Sequence, residues 1–293
     1  MEENNDITDL IKIKQNNIFK ELSRKIKVYL AYFKLKFLNE IQYKVAAFAG
    51  VITQFAWGAM YIMLYTTFLK NGTEGDYTIP QISTYIWMQQ AFLMMFNLWR
   101  IEPDILEACK TGNISMELVK PVDLYSIWHA KTLGKKLAMT ILRALPILFI
   151  CSMPFLGQYK IMMCDNFITF ILFICALVLS ALLLIAYSML MCSFIMKTIS
   201  SQGIRLTFQL IMEFCSGAVI PIAFMPEKVI QILKFTPFYY MQNVAFNIYN
   251  GYISNVTEIV QIILLQIAWV TILTIIGRRI IRKQLSKIVV QGG

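Results

Sequence analysis

The chain of 293 residues has a single histidine, His129. Chemistry that needs two imidazoles in one place, such as a multi-histidine metal site, is therefore excluded. With Trp128 and Lys131 beside it, His129 reads as an interfacial side chain. The cysteines Cys109, Cys151, Cys164, Cys175, Cys192 and Cys215 include no CxxC pair, and most lie inside apolar runs. They read as small buried hydrophobes rather than as metal ligands or disulfide partners. Charge is scarce too, at 15% of residues, and no cluster of Asp, Glu or His marks a catalytic face. A phosphate loop is also missing. In Leu133-Gly134-Lys135-Lys136 the position five before Gly134 is His129, and Lys136 stands where Ser or Thr should hold magnesium. The first residues, MEENNDITDLIKIKQNN, show neither an early apolar core nor a small-residue cleavage site, so 1–16 reads as a flexible cytosolic tail.

What is present is apolar surface. Apolar residues make up 58% of the chain and the mean hydropathy is +0.60. Uncharged runs near the roughly 20 residues needed to cross a bilayer recur along it, which implies an all-α integral membrane protein. The reading places six spans at 45–69, 79–99, 137–156, 166–196, 204–224 and 257–277, within a domain running 45–278. Before them, 17–44 repeats Leu22, Ile26, Tyr29, Phe33 and Phe37 at helical spacing among basic residues. That pattern predicts an amphipathic helix lying on membrane lipids, or else packed on another protein face. Between spans five and six, 225–252 is aromatic-rich and broken by Pro226 and Pro237, which predicts a re-entrant or interfacial hairpin outside the cytosol. The formal charge of +10 gathers in the first helix, in Arg100–Lys136, in Lys197–Arg205 and in the tail 279–293. In a membrane chain this is an orientation signal rather than a nucleic-acid footprint, and it puts both termini in the cytosol.

One charged segment stands out. Residues 101–130 exceed what a connector needs, since helix–helix links take about 2–8 residues. Gly112-Asn113 can start a turn, Ser115 can cap a short helix, and Pro121 stops it. The product displays Glu107, Lys110, Glu117, Lys120 and Asp123, suited to the bilayer surface or to docking a soluble partner.

"DILEACKTGNISMELVKPVDLYSIW" resembles the stretch after the second span in membrane subunits of type-2 ABC exporters, most of all the drug and viologen exporter-like permeases. "SGAVIPIAFMPEKVIQILKFTPFYY", Ser216 to Tyr240, is similar to that superfamily's run at the end of span five. The resemblance implies a permease that works as a dimer, of two copies or two different permeases, in a plasma membrane. It also implies an ABC ATPase subunit beneath each half, which would hold ATP and Mg, with no cofactor on this chain. The segment 104–125 would be a coupling helix, with Glu107, Lys110, Glu117, Lys120, Pro121 and Asp123 meeting the ATPase. Spans two and five would line the route.

The residues themselves suit that last point. Arg205, Gln209, Glu213 and Gly217 recur every four residues and form one stripe. Span two carries Gln89 and Gln90. An ionised Glu213 inside a span implies pairing, hydration or protonation. The stripe either faces a water-filled cavity with Gln89 or Gln90 opposite, or makes a buried structural contact. Arg143 reads as a side chain reaching for headgroups. Two other readings stay open. A secondary transporter or channel would want carboxylates in several spans or an internal repeat. A membrane-embedded transferase would want clustered acids or histidines.

Overall fold

A computed structural model of the protein describes residues 2–70, 77–99, 104–107, 122–164, 166–198 and 201–286, with side chains from Lys20 onward. Among the described residues the regular structure is helical and contains no strand. In chain order the helices are α1 (Glu2–Ile41), α2 (Lys44–Lys70), α3 (Ile79–Ala91), α4 (Leu93–Phe96) and α5 (Leu124–Cys151). They continue with α6 (Phe167–Ile195), α7 (Ser201–Cys215), α8 (Glu227–Lys234), α9 (Gln242–Tyr249) and α10 (Val256–Leu285).

Helices α2, α6 and α10 are long and apolar enough to cross a membrane. Each exposes large apolar side chains: Phe48, Ile52 and Met63 on α2, Ile168, Ile171 and Val178 on α6, Val260, Leu264 and Ile275 on α10. Such continuous outward faces are compatible with hydrocarbon, not with water. Asn166 caps α6 by accepting from Thr169 N at 2.8 Å, and Asn255 caps α10 by accepting from Thr257 N at 2.9 Å.

The remaining helices differ from the sequence reading in informative ways. The backbone is already helical at Glu2, because no proline or glycine occurs before Gly50 to interrupt it. Helix α5 starts at Leu124, well ahead of the expected span at 137, because Asp123 caps it there. Helix α3 opens with a capping box in which Thr78 accepts from Gln81 N and the Gln81 side chain accepts from Thr78 N. Polar side chains near the start of this helix are used locally: Ser83 bonds back to Ile79 O, and Thr84 donates to Pro80 O while accepting from Met162 N. Residues 225–252 form the exposed helix α8 and the buried helix α9, separated by a turn of 3₁₀ helix at Phe238–Tyr240.

Two helices organise the packing. Helix α5 carries α1 along its length and meets α2, α3, α4 and α6; helix α6 gathers α7, α9 and α10. Trp128 of α5 is fully buried in the larger core cluster with α6 and α9. Gly134, part of the string that fails as a phosphate loop, marks a close approach of α1 to α5. A Cβ there would lie 2.4 Å from Phe33 O, so the absence of a side chain lets the two backbones meet.

Candidate functional site

Spans two and five, both expected to be continuous, are broken. Phe92 leaves the helical region after Ala91, one turn of α4 follows, and Asn97 is extended at φ −86°, ψ 127°. Helix α7 ends at Cys215. Gly217 then takes φ +81°, while Ala218 N and Val219 N both return to Glu213 O, at 3.1 and 3.3 Å. A left-handed residue just past a helix end is the usual way to close it, and glycine is the residue that adopts it without strain. Gly217 therefore leaves the stripe of Arg205, Gln209 and Glu213 and contributes backbone instead.

Opened backbone among apolar helices must find new partners. Here each break supplies partners to the other. Gln89 Nε2 donates to Gly217 O at 3.2 Å and to Ala218 O at 2.7 Å, Tyr85 OH to Gly217 O at 3.2 Å, and Tyr65 OH to Val219 O at 2.8 Å. In return Gln209, only 1% exposed, accepts from Leu98 N at 2.8 Å, and Arg205 donates to Trp99 O at 2.8 Å. Lys136 of α5, also buried, closes the frayed end of α4 by donating to Met95 O at 3.2 Å and Asn97 O at 2.5 Å. Helix α7 is built for this. It turns Gln209 and Met212 inward and leaves Leu206, Leu210, Ile211 and Phe214 outside, the reverse of a water-soluble helix.

Beside the crossing lies a cavity of about 350 Å³, lined by Gln54, Trp57 and Tyr61 of α2, Gln89 and Gln90 of α3, Arg143 of α5, Glu213 of α7 and Gln242 of α9. Of the residues expected along the route, Gln89, Gln90 and Glu213 thus share one wall space. Gln209 stands behind, its amide donating to the Glu213 carboxylate. Gln90 presents its backbone O to Gln54 Nε2 at 2.9 Å. Gln54, Gln242 and Arg143 were not legible as site residues. The Arg143 guanidinium runs over Gly50, 2.4 Å from where a Cβ would sit, and also lines a second cavity of about 270 Å³ with Glu40, Tyr43 and Met139. Its course depends on a residue in another helix, so no local signal revealed it.

The charged segment is described only at its ends. Lys110, Glu117, Lys120 and Pro121 lie outside the described residues. Glu107 closes a helical turn, 104–107, and is exposed. Asp104, next to it, is held to α1 by Lys36 Nζ at 3.0 Å, and that bond keeps its carboxyl below the usual range. Asp123 faces inward. Its Oδ2 accepts from Ser126 N at 3.2 Å and Ser126 Oγ at 2.7 Å; of the α10 arginines, Arg278 stands 3.8 Å from Oδ2 and Arg282 3.7 Å from Oδ1. Both ends of the segment are thereby fastened to the helix frame. Asp123→Ala should lower stability by about 1 kcal/mol, the usual worth of an N-cap, and Asp123→Asn by less, read from thermal melting in detergent. Equal melting of all three proteins would remove the cap from the account.

His129, early in α5, stacks near Tyr125 at 6.1 Å between ring centres. Burial first, then the Arg278 guanidinium, push its imidazole down to about 4. A base depressed on folding lends stability that is complete above its unfolded value of about 6.5 and fades as pH falls toward 4. His129→Gln should therefore lose less melting temperature than wild type between those limits. A parallel decline in both would contradict the assignment. Among the described residues no group of His, Cys, Asp and Glu is arranged to hold a metal.

Compared with known proteins, the chain matches the profile of one family, described as ABC-2 family transporter protein, over residues 55–292. Among curated proteins none matches.

Proposed function

Because the chain belongs to the ABC-2 family of transporter membrane proteins, we propose that it is the permease half of an ATP-driven exporter, fuelled by a separate ATPase subunit. It is a membrane component of an ABC transporter, and the route through it runs along the crossing of the two broken helices. The observation that carries this reading is the crossing itself: Gln89, Gln90, Gln209 and Glu213 stand together where α3 and α7 open beside a cavity. Broken helices with paired backbone are how transporters build polar sites inside apolar bundles.

In this reading α3–α4 and α7 are crossings two and five, α5 is the third, and six crossings leave both termini in the cytosol of a plasma membrane. The basic segments support that orientation. Two permeases form the pathway at their shared face. The outward apolar side of α7, with Leu206, Leu210 and Phe214, suits either lipid or that partner. One ATPase sits beneath each half and grips segment 104–125. Asp104 fastens the segment to α1, and Asp123 fastens it to α10. Asp123 thus works as an anchor, and the gripping falls to Glu107, Lys110, Glu117 and Lys120. Closure of the ATPases on ATP then rocks both helices and opens the cavity to the far side.

Purification of the chain with its neighbouring gene products, followed by mass spectrometry and reconstitution in liposomes, tests the proposal. A Walker-type ATPase should co-purify, and ATP-dependent transport should vanish when Glu117→Lys and Lys120→Glu are combined while the ATPase stays bound. Solute movement by the chain without ATP would instead favour a secondary transporter or channel.

A further inference from the structure

We propose that Tyr85 is the septum of the route: its ring parts the 350 Å³ cavity from a second, wider one, and swinging the ring aside joins the two. This rests on the permease reading and names the residue whose movement opens the cavity to the far side. The wide cavity holds about 1110 Å³ and is walled by Gln81 of α3, residues 222–226, Glu227 of α8, and Asn243 and Asn247 of α9. The permease reading puts it on the extracytosolic side.

Three segments of the chain border both cavities, and each passes from one to the other beside Tyr85. Along α3, Gln81 lines the wide cavity and Gln89 the narrow one. Tyr85 stands four residues from each, about one helical turn, lines neither, and is 0% exposed. After α7, Ala218 and Val219 line the narrow cavity and 222–226 the wide one. There Tyr85 OH meets Gly217 O at 3.2 Å, and a Cβ on Gly217 would lie 2.9 Å from that hydroxyl and 3.0 Å from Ile222 Cγ1. In α9, Gln242 belongs to the narrow cavity and Asn243 to the wide one, and Tyr85 OH lies 3.5 Å from Asn243 Oδ1. Phe246 backs the ring edge-on, 5.8 Å between centres.

The ring is held loosely. A hydroxyl donates one proton, and the two acceptors of Tyr85 stand at 3.2 and 3.5 Å, beyond the usual O–H···O distance of about 2.7–2.8 Å. Both acceptors also have another donor. Gly217 O keeps Gln89 Nε2 at 3.2 Å, and Asn243 Oδ1 keeps Asn247 Nδ2 at 3.1 Å. Departure of the ring therefore strands neither group, so the usual cost of an abandoned buried acceptor does not oppose the movement.

The test uses the full chain, its native cysteines replaced, in sealed vesicles with the extracytosolic face outward and a small, charged, membrane-impermeant methanethiosulfonate outside. Glu227→Cys, in the wide cavity, should react in every background and mark the accessible face. Glu213→Cys, in the narrow cavity, should stay unmodified while Tyr85 is in place. Adding Tyr85→Ala should raise its rate about tenfold or more, because the vacated space is roomy and polar enough to hold water. Tyr85→Phe, which keeps the ring, should leave Glu213→Cys as slow as before. Should Tyr85→Ala fold poorly, Tyr85→Leu takes its place. Modification of Glu213→Cys with Tyr85 intact, or unchanged resistance once the ring is removed from a folded chain, would overturn the inference. If ATP-driven export by the intact complex accompanies either of those results, the septum falls and the permease reading stands.

Discussion

Gly217→Val should abolish transport and remove about 2–5 kcal/mol of stability, measured by thermal or denaturant melting alongside export from vesicles. Two costs combine. A β-branched residue held at φ +81° is strained by roughly 1–2 kcal/mol. Its Cβ would also stand 2.9 Å from Tyr85 OH and 3.0 Å from Ile222 Cγ1, an overpacking worth about 1–3 kcal/mol. The chain can relieve both only by moving the 217–219 backbone. That withdraws the carbonyls that Gln89, Tyr85 and Tyr65 occupy and unlocks α7 from α3. Gly217→Ala should show a smaller loss in the same direction. Near-wild-type melting of the valine variant would mean that the left-handed turn is absent.

Lys136→Met is the second large effect. The methionine keeps the length and apolar stem of the side chain but takes the donor from Met95 O and Asn97 O. Each carbonyl abandoned in a buried site forfeits about 1–3 kcal/mol, partly offset because a buried ammonium no longer has to be desolvated. A net loss of about 2 kcal/mol is expected, with export falling further than stability because α4 positions Phe96 and Asn97 at the cavity. Lys136→Arg, which restores donors in a bulkier shape, should recover part of the stability. No change on Lys136→Met would show that the end of α4 is held by something else.

The helices that the sequence disclosed best are those decided by composition alone. Runs such as Phe167–Ile195 and Lys44–Lys70 carry no competing signal, and their ends agree with the reading to within a residue or so. The breaks were harder. Nothing between Phe92 and Phe96 disfavours a helix; the interruption arises because Lys136 and Gln209, distant in sequence, offer the backbone better partners there. At Gly217 a local signal did exist, a glycine followed by Pro221, yet the four-residue spacing from Arg205 masked it. That spacing was nonetheless right for Gln209 and Glu213, which share the inward side of α7. Polar residues of α3 divided into kinds that spacing cannot separate: Gln81 caps the helix start, Ser83 and Thr84 bond back to its own carbonyls, and Gln89 and Gln90 line the cavity. Asp123 was legible as a charge, but its ion pairs were not, because Arg278 and Arg282 lie in α10.

Whether the crossing of α3 and α7 encloses water or is merely a structural clasp is decided by thiol labelling in intact membranes. Single cysteines replace Gln90, Glu213 and, as a lipid-facing control, Leu264, in a background with the native cysteines changed to serine or alanine. A charged, membrane-impermeant maleimide applied to inside-out vesicles should modify the first two within the time that it leaves Leu264→Cys untouched, and ATP with the partner subunit should change their rates. Silence at all of these positions, with labelling restored only in detergent, would contradict the water-lined route on which the account stands.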